Sequence, residues 1–271
     1  MSAAVAAPQD AARGGAFGDV RMMLQQVRYE QLNFWRNRFA AAFTVGFSVV
    51  FLLLMAASGA TQRLKAIDGV KGIQYYVAGF AAYGLMSACY SNLGIALVIR
   101  RETGLLKRLR LSPLTTWQLF GALVGNAAVV SVLQVALVVL IGRIAFHLVL
   151  PSSWMALILA VVVGVVCFTA LGVAASTFVP SQESAGPIVS LVFFILLFLS
   201  GLWFPLTPGS TLAHLSSWFP IHPLILACFA PFDTRQGASP WAWHDLLTVV
   251  IWGVVGAYVA VRRFRWEPRR R

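Results

Sequence analysis

Charge is scarce in this sequence, and acidic charge most of all. Only 11% of its residues are charged, where soluble domains carry about 25%. Six runs contain no Lys, Arg, Asp or Glu: residues 39–58, 73–99, 118–142, 154–179, 187–203 and 246–261. A proton- or sodium-driven carrier normally keeps ionisable groups inside the membrane, and these runs offer none. No Gly-Lys dipeptide occurs, so there is no Walker A loop to cradle nucleotide phosphates. The three cysteines (Cys89, Cys167 and Cys228) share no short spacing, so neither a disulfide scaffold nor a metal site is expected. The four histidines (His147, His214, His222 and His244) have no acidic partner at helical spacing and read as loop or headgroup residues. Residues 1–19 lack a basic region followed directly by an apolar core, so no cleavable leader is expected there. No internal repeat is visible.

What is present is hydrophobic length. The chain is 59% hydrophobic, and a helix needs about 20 apolar residues to cross the hydrocarbon core. The six runs predict an all-α integral membrane protein with six transmembrane helices. The second run is long enough to tilt or project beyond the bilayer, and the fifth is short, starting at Pro187, a residue suited to a first helical turn. The expected layout is a disordered tail over 1–18, an interfacial amphipathic helix over 19–38, the six-span domain over 39–262, and a basic tail over 263–271.

The net charge of +12 reads as topology, with no nucleic-acid partner, because the basic residues gather at the ends of apolar runs. Sixteen of the 21 Lys and Arg fall before the first run, between the second and third, or after the sixth. By the positive-inside rule, both termini are cytoplasmic. Before the first run, Val20, Met23, Leu24, Val27 and Phe34 alternate with Arg21, Arg28, Glu30 and Arg36, the pattern of a helix lying on the inner surface. Between the fifth and sixth runs, six of the 12 prolines interrupt residues 204–245. A continuous span is excluded there, and short re-entrant helices are expected instead.

The segment Arg100-Arg101-Glu102-Thr103-Gly104-Leu105-Leu106-Lys107-Arg108-Leu109-Arg110-Leu111-Ser112-Pro113 places five basic residues between two uncharged runs. On a helix, Leu105, Leu106 and Leu109 share one side, and Lys107, Arg108 and Arg110 spread over the other. Ser112-Pro113 stops the element. Pattern alone leaves two readings open: a helix presented to a partner protein, or a solvated loop that fixes orientation.

The run from Arg101 to Leu109 resembles the cytoplasmic R-E-x-G-T-L-x-x-L signature of ABC-2 type transporter permeases, with Leu105-Leu106 where the family has a threonine–leucine pair. Ser200-Gly201-Leu202-Trp203-Phe204-Pro205 is similar to the family's outer S-G-x-x-F-P, and His222-Pro223-Leu224 to its Asn-Pro-Leu. The resemblance covers nearly the whole chain and is strongest for drug-resistance exporters of the daunorubicin type. It implies a permease subunit in the bacterial inner membrane, paired with a second permease copy or a homologous one, and served by two copies of an ABC ATPase. That partner would hold ATP and Mg, and this chain would bind no cofactor or metal and have no catalytic residue. Arg101, Glu102, Thr103, Gly104, Leu105, Leu106 and Leu109 would form the coupling element, with Arg101 and Glu102 as the ion-pair partners that orient docking on the ATPase. Ser200, Gly201, Phe204, Pro205 and Pro223 would form the outer gate.

Aromatic residues supply a candidate route for cargo. Phe39, Phe43, Phe47 and Phe51 repeat every four residues, which gives a ridge along one helix side. Tyr76, Phe80 and Tyr83 in the second run, with Phe194 and Phe198 in the fifth, complete a lateral cleft suited to amphipathic or hydrophobic compounds. A polysaccharide or glycolipid exporter is the alternative within the family. An ion-coupled secondary transporter and a non-transporting membrane scaffold are the alternatives outside it. Gly121 and Gly125 form a small-xxx-small pair that favours close helix packing.

Overall fold

The structure is a computed structural model that describes residues 16–55, 57, 69–104, 116–203, 206 and 209–263. Among these residues every regular element is helical. We number them α1 (Ala16–Arg36), α2 (Arg38–Met55), α3 (Gly72–Met86), α4 (Leu93–Glu102), α5 (Thr116–Phe146), α6 (Trp154–Phe178), α7 (Gln182–Leu199), α8 (Thr211–Ser217), α9 (Ile221–Phe229) and α10 (Trp243–Arg263). A π-helical turn, Ser87–Asn92, joins α3 to α4.

Five of the six expected spans are long and apolar enough to cross a membrane. The first is shorter, its apolar stretch running over Thr44–Met55. The second is continuous from Gly72 to Glu102, 31 residues. At 1.5 Å per residue it is about 46 Å long, more than the hydrocarbon thickness, as its sequence length predicted. This span is also the centre of the bundle: 72% of its apolar window is buried, against 28% for α7 and α10. All of α3 is buried. On α5, α6, α7 and α10 large apolar side chains are exposed on the outside of the bundle, which suits contact with hydrocarbon.

Serines begin several of these helices. Ser153 accepts a hydrogen bond from the Ala156 N–H, Ser210 accepts from Ala213, and Ser181 forms a capping box with Ser184. Each satisfies a donor that the first helical turn leaves without a partner. The proline-rich segment between α7 and α10 folds as two short helical pieces, Thr211–Ser217 and Ile221–Phe232, with axes 92° apart. That bend is the shape of a broken span or a re-entrant loop, and it falls where Phe219-Pro220 interrupts the chain.

The N-terminal helix does not lie alone. Met23 and Val27 of α1 sit where Gly121 and Gly125 of α5 have no side chain. A Cβ on Gly121 would come within 2.8 Å of the Met23 sulfur, and one on Gly125 within 2.9 Å of Val27. The Gln31 amide donates to the Asn126 carbonyl at 3.0 Å. The small-residue pair in the third run is therefore the seat of α1.

Candidate functional site

The C-terminal end of the second span is built on two adjacent arginines that grip different helices. Arg100 faces α1, where its guanidinium donates to both carboxylate oxygens of Glu30, at 2.8 Å for Nη1 to Oε1. Arg101 lies on the other side, 4% exposed. Its Nη1 donates to the Ser176 carbonyl at 3.1 Å and its Nη2 to the Val179 carbonyl at 2.7 Å. Those carbonyls end α6, where the last turn has no intrahelical donors and the helix dipole favours a cation. The Arg101 Nε also donates to Glu102 at 2.9 Å, so the guanidinium fork is engaged on every side.

This arrangement follows from the sequence. Residues 100 and 101 are 100° apart on a helix, so adjacent arginines necessarily address two neighbours. Thr103 donates its hydroxyl to the Ile99 carbonyl at 2.9 Å, and Gly104 adopts φ +70°. A left-handed glycine is a common helix terminator. Arg101, Glu102, Thr103 and Gly104 thus form one compact joint at the end of α4. Leu105, Leu106 and Leu109 lie outside the described residues.

At the opposite end of the molecule the structure brings two distant motifs together. The His222 Nδ1 lies 2.9 Å from the Ser200 carbonyl, and because a carbonyl only accepts, Nδ1 carries the proton. The Tyr75 hydroxyl donates to the Gly201 carbonyl at 3.0 Å. The Ser200 hydroxyl accepts from the Leu202 N–H at 3.0 Å. Gly201 has φ +73°, and a Cβ there would meet the Tyr75 hydroxyl at 3.2 Å. Pro223 is buried in the first turn of α9. Phe204 and Pro205 lie outside the described residues. His222 departs from the loop or headgroup placement its neighbours suggested: it is buried in α9, because its ring nitrogen supplies the donor that the Ser200 carbonyl needs.

The aromatic residues form a chain between α2, α3 and α7. Phe47 stacks on Phe51 at 4.2 Å and on Tyr83 at 4.8 Å. Trp203 meets Phe51 edge-on at 4.9 Å. Tyr83 contacts Phe193 at 5.6 Å, and Phe193 contacts Phe194 at 5.8 Å. Tyr76 and Phe80 are buried in the core, whereas Phe194 and Phe198 are 50% and 75% exposed. The Phe43 side chain lies outside the described residues. Sequence reasoning did not find the two members that complete the chain, Phe193 and Trp203. Their only signal was position, each one step from a residue already singled out.

Among the described residues no group of three or more His, Cys, Asp or Glu is placed to hold a metal ion. All three cysteines are buried and unpaired by disulfide.

Residues 60–261, about three quarters of the chain, match the family described as ABC-2 family transporter protein. No curated protein matches the chain.

Proposed function

The chain belongs to the ABC-2 transporter family, and from that premise we propose how this membrane permease works with the ABC ATPase that such permeases associate with. It moves amphipathic or hydrophobic compounds, drug-like or lipid-like, outward across a bacterial inner membrane. Two ATPase copies hydrolyse ATP on the cytoplasmic side, and a second permease copy or a homologous one completes the pore. Both termini are cytoplasmic.

One observation carries the coupling reading: Arg101 bonds the end of the second span to the carbonyl end of α6, while Arg100 bonds it to α1. The leucine-bearing segment 105–111 leaves directly from this joint. Force delivered to that segment reaches α4 and, through the Arg100 and Arg101 bonds, α1 and α6. Residues 105–111 act as the coupling element seated on the ATPase. The Ser200–Gly201 and His222–Pro223 cluster acts as the outer gate, held by neutral hydrogen bonds that break and reform without exposing a charge to lipid. Cargo meets exposed Phe198 and Phe194 first, and the packed rings of Phe193, Tyr83 and Phe47 must part to take an amphipathic molecule further.

The test is co-purification followed by crosslinking. A cysteine at Leu106 is expected to crosslink to an ATPase subunit inside the cell, and labelling of that cysteine from the outer side refutes the reading. Glu102→Ala is expected to leave ATP hydrolysis running while transport falls. Tyr83→Ala should lower efflux at unchanged hydrolysis, and undiminished efflux removes the aromatic route.

A further inference from the structure

The chain has four asparagines (Asn33, Asn37, Asn92 and Asn126), and all four line one cavity. The cavity lies between α1, α4 and α5, next to the Glu30–Arg100 pair, with a volume of about 580 Å³. That is the size of a small-molecule site. Each helix contributes a single face, at positions 30, 33, 34 and 37 on and just after α1, 92, 96 and 100 towards and along α4, and 123, 126, 127 and 130 on α5. Such spacing is what one side of a helix presents. Ala88, Ala96 and Ala127 face the space, and their small side chains leave it open.

Two of these asparagines interrupt runs that are otherwise strongly apolar. Asn92 is the last residue of the π-helical turn, an irregularity found mostly at functional sites. Its Nδ2 donates to the Thr44 hydroxyl at 3.1 Å, which fixes the amide plane. The Asn126 Oδ1 is buried and has no hydrogen-bond partner among the described residues. A buried acceptor left unpaired costs stability, and a turn of the Asn126 amide towards the cavity would let a ligand donor recover it.

We propose that this cavity binds an uncharged amphiphile whose head carries several hydroxyl or amide groups. The two charged residues of the wall, Glu30 and Arg100, neutralise each other, and its other polar side chains are amides and a hydroxyl. Glu30 and Arg100 bond each other, so an anionic or cationic head must first break that pair. An asparagine amide offers donors and an acceptor side by side, which matches hydroxyls that do both. Ile95, Ile99, Leu123 and Val130 provide the apolar wall for a hydrocarbon tail. The assignment rests on the exporter reading for its role, as the place where cargo waits in the inner half of the bilayer, but binding itself is measurable without the ATPase.

The experiment uses the full-length permease in phosphatidylcholine nanodiscs and an alkyl glucoside with a diazirine on its chain. Irradiation is expected to label peptides covering residues 88–103 and 121–130. Dodecyl glucoside should compete, and dodecyl sulfate and dodecyl trimethylammonium should not. Asn126→Leu and Asn92→Leu are each expected to lower labelling by about tenfold, and Ala96→Phe should abolish it by filling the space. If the variants fail to fold, competition on the unaltered chain still decides. Equal competition by the charged amphiphiles, or labelling spread evenly over lipid-facing α10, overturns the proposal. Failure here with an ATPase still co-purifying would leave the transporter reading intact.

Discussion

At its C-terminal end the second span closes on charge, with Arg100 on Glu30 and Arg101 across the last carbonyls of α6. At its other end the bonds seen among the described residues are neutral: Tyr75 donates to Gly201, and His222 donates to Ser200. The two joints use what their surroundings permit. Near the headgroups a guanidinium finds carbonyls and carboxylates, and several charge-assisted bonds add up on one side chain. Among apolar helices a lone charge is expensive, so backbone carbonyls bind a phenol and an imidazole instead. Charge-assisted hydrogen bonds are the stronger kind, so the charged joint is expected to hold longer than the neutral one.

Substitutions at the two ends should separate them. Arg101→Ala leaves the α6 carbonyls and Glu102 without their donor, and is expected to cost roughly 3 kcal/mol of stability. Thermal unfolding in detergent measures it. Arg101→Lys should recover only part, because an ammonium lacks the planar fork that reaches three acceptors. Gly201→Ala comes next, at roughly 1–2 kcal/mol for a non-glycine residue held at positive φ, with added crowding against Leu206 at 3.0 Å. Tyr75→Phe and His222→Phe each remove one neutral hydrogen bond and should cost about 1 kcal/mol apiece, while His222→Asn, which can donate to the same carbonyl, should cost less. Least of all, Arg263→Gln removes a cation over the Phe178 ring at 5.3 Å, worth about 0.5 kcal/mol at an exposed site. A neutral-end variant that outranks Arg101→Ala would reverse the comparison.

Much of this architecture was readable before any coordinates. Charge-free runs located the five helices long and apolar enough to cross a membrane, and the proline cluster fell on the bent pair, because membrane insertion and backbone hydrogen bonding constrain composition directly. The signature at Arg101-Glu102-Thr103-Gly104 falls on the joint that ends the second span. What it could not reveal was where Arg101 points, since Ser176 and Val179 lie 75 and 78 residues away. Nor could it expose the π-helical turn, which depends on tertiary packing: a Cβ on Gly172 would meet the Cys89 carbonyl at 2.6 Å. His222 looked like a loop residue because its flanking prolines dominate the local signal. The asparagine cavity left a compositional trace in the rarity of that residue, but only the fold shows that all four members meet.

The central claim is that the Arg101 joint carries force from the inner segment to the helices. Its most direct measurement compares ATP hydrolysis with transport for Arg101→Ala, reconstituted with its ATPase and normalised to folded protein. The account predicts hydrolysis near the unaltered rate and transport lowered by at least about tenfold, an increase of roughly 1.4 kcal/mol in the barrier to the conformational step. Transport that keeps pace with hydrolysis in that variant would contradict it.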